Sequence, residues 1–161
     1  MRIGIAADHG GFEMKGGLIA RLLAVRHAAI DFGADEFDAE DDYPDFVVPL
    51  ADAVATDWAD RGIILCSSGA GASICANKIL GARAALIHCR AAARQGVEDD
   101  HMNILCIDCH TTSAPIANEI IDAFLDASYG HEDRQLRRIG KIASLEEWHT
   151  APHYHNNRTS M

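Results

Sequence analysis

A chain of 161 residues holds one domain with a substantial core and is too short for two ordinary ones. Apolar residues make up 48% of it in short runs, the profile of a packed globular protein rather than a disordered one. The formal charge of −10 excludes nucleic acid as an expected partner, because a phosphate backbone is bound by excess Lys and Arg, although an acidic whole can still hold a basic pocket. No apolar stretch approaches the roughly 20 residues that cross a bilayer, and the opening residues lack the long apolar core of a signal peptide. The expectation is a cytoplasmic protein with no membrane partner. The five cysteines (Cys66, Cys75, Cys89, Cys106 and Cys109) sit in apolar segments and are odd in number, which fits a reducing compartment rather than a disulfide framework.

Apolar runs of strand length alternate with segments of helical period, the pattern of a βαβ series and a parallel sheet. A strand is predicted over Arg2–Ala7, a helix over 14–25 and a second strand over 28–32. An acidic, Pro-bearing loop over 35–44 precedes a helix over 46–57. The third strand is 62–65, followed by the Gly-rich turn 66–71 and a helix through Lys78. Strand four is 82–87, a helix covers 91–97, strand five is 103–107, and two closing helices span 114–125 and 133–147. Domain boundaries follow as 1–148, with 149–161 read as a loosely ordered tail in which His149, His153 and His155 are solvated rather than metal-bound.

In an open parallel sheet the chemistry sits at the carboxyl ends of the strands. There the chain places Asp8-His9-Gly10-Gly11, then Cys66-Ser67-Ser68-Gly69-Ala70-Gly71, then His88, then Asp108-Cys109-His110. A βα loop is commonly polar, which accounts for His88 and Asp108. It accounts less well for a thiol beside a glycine-bracketed turn. Gly69 and Gly71 let backbone approach a ligand, and the next helix start offers unpaired N–H groups suited to an oxyanion or a phosphate. A thiol at such a helix start is expected to have its thiolate favoured, making Cys66 a base or nucleophile; the alternative is an inert buried thiol. The turn is not a Walker loop, and Gly69-x-Gly71 alone is a weak dinucleotide fingerprint.

Cys75, Cys89 and Cys106 have apolar neighbours and are assigned to the core. Cys106-x-x-Cys109 lacks a second pair and straddles a strand end, so neither zinc nor redox chemistry is expected there. Arg134 and Arg138 stand four apart on a predicted helix, either gripping one anion or forming a solvated face, with His9 a possible third cation.

Together these residues resemble the ribose-5-phosphate isomerase type B family, which includes galactose-6-phosphate isomerase subunits. The resemblance runs from residue 2 to about 147. It is carried by 5–15 (Ile-Ala-Ala-Asp-His-Gly-Gly-Phe-Glu-Met-Lys), Asp42-Tyr43-Pro44, 65–71 (Leu-Cys-Ser-Ser-Gly-Ala-Gly), Ala76-Asn77-Lys78, 81–84 and 134–138. It implies a Rossmann-like three-layer α/β/α sandwich with a five-stranded parallel sheet. It also implies a homodimer or tetramer in which the last helix packs on the partner and each site draws on both subunits. By the same resemblance, Cys66 carries a proton between C1 and C2 of a sugar phosphate through a cis-enediolate, with no metal and no cofactor. Amides of Ser67, Gly69, Ala70, Gly71 and Ala72 would hold the enediolate oxygens, with the Ser68 hydroxyl among them. Asp8 and His9 would meet sugar and phosphate, Tyr43 would line the pocket, and Arg134 and Arg138 would clamp the phosphate.

Two departures qualify the resemblance. The family's ring-opening histidine and the asparagine after it fall on Asp99 and Asp100. A carboxylate there lacks the imidazole's switch near neutral pH and repels an anionic substrate. Either His101 takes over, or the substrate needs no ring opening, as with an open-chain tetrulose phosphate such as erythrulose 4-phosphate. His110 stands where the family often has an arginine for the phosphate. An isomerase of ribose 5-phosphate and ribulose 5-phosphate is the leading expectation; a sugar-phosphate-binding subunit without catalysis and a thiol redox protein are the readings from other classes.

Overall fold

The computed structural model describes residues 1–150, with side chains through 146. A five-stranded, wholly parallel sheet forms from β1 (Arg2–Ala7), β2 (Ala28–Asp31), β3 (Arg61–Cys66), β4 (Ala84–Leu86) and β5 (Ile104–Asp108), in the order β2-β1-β3-β5-β4. Between and after them run α1 (Phe12–Ala24), α2 (Pro44–Ala55), α3 (Ala70–Ala76), α4 (Arg90–Asp100), α5 (Ala114–Asp126) and α6 (Asp133–Thr150).

Period-two alternation divides the strands between two apolar layers. Ile3, Ile5, Ile63, Leu65, Leu105 and Ile107 face one core with Leu18 and Leu22 of α1, Val97 of α4 and Phe124 of α5. Ala6, Ile64, Cys66, Ile104 and Cys106 face the other, with Val47, Leu50 and Val54 of α2 and Ala72 of α3. This is the expected α/β/α sandwich. The chain winds outward from β1 to β2 in one direction and from β3 toward β4 in the other, so α1 and α3 leave adjacent strand ends for opposite faces. The gap between the carboxyl ends of β1 and β3 is the switch point at which such sheets bind ligands.

Several boundaries differ from the sequence expectation, each for a local reason. The helix expected from 46 begins at Pro44, whose fixed φ and missing N–H suit a first helical position. Helix α1 begins at Phe12 directly after Gly11. Strand β4, at the sheet edge, is shorter than 82–87, because the Arg83 N–H is held by the Asn103 side chain at 2.7 Å instead of by the ladder. Helix α4 runs through Asp100 rather than ending near 97, and His101 closes it in the left-handed conformation at φ 52°. Helix α6 continues through Thr150; the remainder of the expected tail, with His153 and His155, lies outside the described residues. Cys89 corrects the core assignment. It is exposed at the N-cap of α4, where the chain turns outward from the edge strand, whereas Cys106 is fully buried and Cys75 half-buried.

Glycine is required where the two ligand-facing loops touch. A Cβ on Gly11 would overlap the Leu65 carbonyl, and one on Gly10 would overlap the backbone and hydroxyl of Ser67. Gly16, in the middle of α1, has nothing within 4 Å. Gly11→Ala is therefore expected to cost about 2–3 kcal/mol and to lower Tm by several degrees. Gly16→Ala should be neutral or stabilising by up to about 1 kcal/mol. Equal melting temperatures for the two variants would show that the loops are not in contact.

Candidate active site

Three strand ends are tied together at the switch point. The Cys66 thiol donates to Asp8 Oδ2 at 2.9 Å, and Asp8 Oδ1 accepts the Gly10 N–H at 2.9 Å. From the β5 side, the Cys109 N–H donates to the Cys66 carbonyl at 2.9 Å and the His110 N–H to the Ser67 carbonyl at 3.1 Å. Asp108 anchors that loop by accepting the His110 N–H at 2.8 Å and both the N–H and the hydroxyl of Thr111. The Thr111 hydroxyl bond above all holds the Asp108 carboxyl below its usual range. Asp8, His9, Cys66, Ser67 and His110, far apart in sequence, thus stand together as expected.

After Cys66 the chain turns through exposed Ser68 to Gly69, the N-cap of α3, at φ +68°. A side chain at Gly69 would meet Leu86 and the Ile107 backbone, so both conformation and space call for glycine. Gly71 lies under the Tyr43 ring: a Cβ there would come within 2.8 Å of its hydroxyl end. Tyr43 therefore borders the loop at Ala70 and Gly71, while Ala72 is buried beneath it.

The thiol's ionisation corrects the sequence expectation. Burial first, and the Asp8 carboxylate second, push the Cys66 thiol strongly upward. The sulfur belongs to a residue only 4% exposed, and its partner is a carboxylate. A helix of seven residues that begins at Ala70 offers too small a field to reverse that. At rest the proton stays on sulfur, hydrogen-bonded to Asp8. Burial likewise lifts Cys106 to about 12 and Cys109 to about 11, so the Cys-x-x-Cys pair has no low-pKa nucleophile.

His9 has a partner that the sequence reading missed. Its Nδ1 lies 2.6 Å from Asp41 Oδ1, and the same oxygen accepts the His9 backbone N–H at 3.1 Å. That bond is the main reason the imidazole is raised above its ordinary value, with the charges of Asp8 and Glu40 adding to it. Asp41 is one of seven acids between 35 and 45, and nothing in the sequence sets it apart from the others.

The remaining expected residues gather elsewhere. Helix α4 leaves the carboxyl end of β4 and returns to the amino end of β5, so Asp99, Asp100 and His101 lie at the amino ends of the strands, opposite the carboxyl ends where Cys66 stands. There the Asp99 carboxylate accepts from Gln135 at 2.9 Å and from Gln95 at 3.2 Å. Those bonds, then the charges of Arg134 and Arg138, hold it below the usual carboxylate range. Arg134 pairs with Glu132 at 3.1 Å, and Arg134 and Arg138 are exposed on α6. His101 stacks on Tyr129 with ring centroids 4.6 Å apart, and burial together with the Arg83 charge lowers its pKa. The arginines and His9 therefore do not meet within one chain. Gln135, the buried link from α6 to Asp99, also went unnoticed; a lone Gln in a charged helix gives no signal.

Parallel α/β architecture with a thiol–carboxylate pair at the switch point defines an enzyme that works on a small molecule at the strand ends. Residues 3–142 match the model of the Ribose/Galactose Isomerase family. Ribose-5-phosphate isomerase B of Mycobacterium leprae is 36% identical over 152 residues, covering 94% of each chain. The protein of the same name from Mycobacterium tuberculosis strain H37Rv is 38% identical over 154 residues, covering 94% of each. Among solved structures, Clostridium thermocellum ribose-5-phosphate isomerase B superposes with a TM-score of 0.89 at 37% identity, covering 93% of this chain and 100% of that one. The Mycoplasma genitalium enzyme with bound ribulose 5-phosphate gives 0.87 at 35% identity, covering 91% and 96%. The chain belongs to the ribose/galactose isomerase family, and by family it is an aldose–ketose isomerase.

Because Asp8 helps to hold the Cys66 thiol protonated, removing its charge should favour the thiolate. Asp8→Asn is expected to raise the rate at which iodoacetamide alkylates Cys66 near neutral pH, read by peptide mass spectrometry against Cys89 as an internal control. A Cys66 rate that falls or stays level relative to Cys89 would mean that the carboxylate does not govern the thiol.

Proposed function

We propose that the chain interconverts an aldose phosphate and a ketose phosphate, with ribose 5-phosphate and ribulose 5-phosphate as the leading pair. Cys66 carries the proton. The observation that supports this most is the 2.9 Å bond between Cys66 and Asp8 beside a glycine turn at the switch point. The C2–H of a hydroxy-aldehyde is weakly acidic and becomes removable only when the charge left behind is held as it forms. In the forward direction Asp8 accepts the thiol proton and the thiolate removes hydrogen from C2. The electron pair of that C–H bond becomes the C1–C2 double bond of a cis-enediolate. Amides of the 67–72 turn and the Ser68 hydroxyl meet its oxygens, a proton passes from O2 to O1, sulfur returns its hydrogen to C1, and Asp8 hands its proton back to the sulfur. Atoms and charge balance without an external acceptor.

The distance between Cys66 and the group at 99–101, 134 and 138 supports a site completed by a second copy. In one chain these residues lie at opposite ends of the parallel strands, and two copies with reciprocal contacts would bring Arg134 and Arg138 of one to His9 and Cys66 of the other. A groove of about 600 Å3 beside the edge strand, lined by Leu80, Met102, Ile142 and Leu145 among others, fits burial against that copy. The arginines would then hold the phosphate, with His110 as a weaker and titratable contact.

A second reading concerns chain length. Asp99 is pinned by two glutamines and its carboxyl is held below the usual range, so it stays ionised at neutral pH and is unsuited to passing a proton to a ring oxygen. That favours a substrate already open, such as erythrulose 4-phosphate, unless His101 opens the ring.

Cys66→Ala should fold normally by circular dichroism and lose on the order of 10³-fold or more in kcat, since the base itself is gone. Wild-type turnover in that variant would remove Cys66 from the chemistry. Coupled assays on four-, five- and six-carbon sugar phosphates rank the substrates, and turnover of none of them would leave only a binding protein. Arg138→Ala should chiefly raise KM. If sites are shared, mixing inactive Cys66→Ala with Arg138→Ala and allowing subunit exchange should yield some sites intact in both residues. No rise above the sum of the two parents would place both residues' work in one chain.

A further inference from the structure

We infer that Asp41 is a positioning residue for the substrate's phosphate, because it fixes the His9 ring with Nε2 turned toward an incoming anion; this rests on His9 meeting that phosphate, as proposed above. Asp41 enters from the loop before α2, 32 residues along the chain from His9. One of its oxygens receives both the ring Nδ1, at 2.6 Å, and the backbone N–H of the same residue, at 3.1 Å. Two bonds from one histidine to one oxygen fix the side chain about χ1 and χ2. A carboxylate facing Nδ1 also requires the hydrogen there, so Nε2 is the nitrogen left to meet a ligand. The His9 side chain remains 37% exposed while that of Asp41 is 8% exposed, so the imidazole rather than the carboxylate is open to an incoming anion.

The field at the ring has one sign. Asp41 and Glu40 act on it from the loop before α2 and Asp8 from the end of β1, and all three favour the imidazolium. This matters in a chain of net charge −10, since without a cation at His9 the same carboxylates would repel a phosphate. Asp41 Oδ2 is buried with no hydrogen-bond partner among the described residues, so its charge is compensated mainly through the His9 pair. The second turn of that loop is held apart from this contact: Asp38 accepts the Glu40 N–H at 3.0 Å, and its carbonyl accepts the Asp41 N–H at 3.2 Å. The Asp41 carboxylate thus projects from a fixed backbone.

The test follows His9 by NMR titration of the full chain in wild type, Asp41→Asn and Asp41→Glu, with inorganic phosphate as the binding probe and steady-state assays alongside. Asp41→Asn should lower the His9 midpoint, weaken inorganic phosphate and raise KM about fivefold at neutral pH, with kcat within about twofold. Asp41→Glu should restore most of the loss. A His9 midpoint unmoved in Asp41→Asn overturns the proposal, as does a lowered midpoint with unchanged phosphate binding. His9→Gln separates the two levels: unchanged KM there means His9 does not meet the phosphate, whereas a raised KM with Asp41→Asn unaffected removes Asp41 alone. Should Asp41→Asn not fold, a wild-type His9 midpoint at or below that of a model peptide also overturns it.

Discussion

The hydrogen bond between the Cys66 thiol and Asp8 organises the rest of the site. It joins the ends of β1 and β3 across the switch point, and it exists only because two loops come closer than side chains would permit. Gly10 and Gly11 lie against Ser67 and Leu65 where any Cβ would overlap backbone. The same bond sets the chemistry's starting state. A buried thiol beside a carboxylate keeps its proton, so a proposed turnover must begin by moving that proton to Asp8. Nucleophilic thiols held beside a cation start as thiolates; this one would become basic only when a ligand excludes water and its carbonyl draws charge toward the 67–72 amides.

Electrostatics elsewhere follow from the chain being acidic while its proposed substrate is an anion. Seven acids between 35 and 45 flank the strand ends. The structure handles this locally, not by net charge. One of those acids, Asp41, is turned inward onto His9, Lys15 is buried against Asp31 at 2.8 Å, and Asp108 is absorbed by its own loop. At the other end of the strands Arg134 and Arg138 remain exposed beside Asp99, whose charge partly offsets theirs. The proposed phosphate contacts therefore rest on a few placed side chains rather than on an overall basic surface.

Much of this was legible before any coordinates. Alternating apolar runs announced the parallel sheet, and strand-end polar residues announced the crevice, because both rest on local periodicity and a general topological rule. Cys66, Asp8, His9, Ser67 and Gly69 were singled out for that reason, whereas Tyr43 came from the family resemblance. What escaped depends on distance in sequence and on burial. Asp41 is one acid in a run, and only the fold selects it. The thiol's raised pKa reflects desolvation by two packed layers, which a motif does not contain. Cys89 was assigned inward by its apolar neighbours, although an edge strand must turn its last residues outward somewhere. Arg134 and Arg138 were placed correctly on one helix, but their separation from Cys66 follows from the number of crossings between β4 and α6.

The extra turn at the end of α4 carries the last step of the reasoning. Had the helix stopped near 97, residues 99 and 100 would lie in a loop with freer side chains. Instead both are helical, Asp99 is bonded to Gln135 and Gln95, and the next residue is the left-handed cap. His101 leaves the helix there with its ring against Tyr129, and its lowered pKa keeps the imidazole neutral near neutral pH. A neutral imidazole can accept a proton on one nitrogen and donate from the other, which is what ring opening asks of a residue. An ionised, doubly bonded carboxylate can only accept. The geometry of one helix end therefore leaves Asp99 bonded and ionised and His101, two residues on, neutral, so under the proposed function the histidine is the better suited of the two to open a cyclic sugar phosphate.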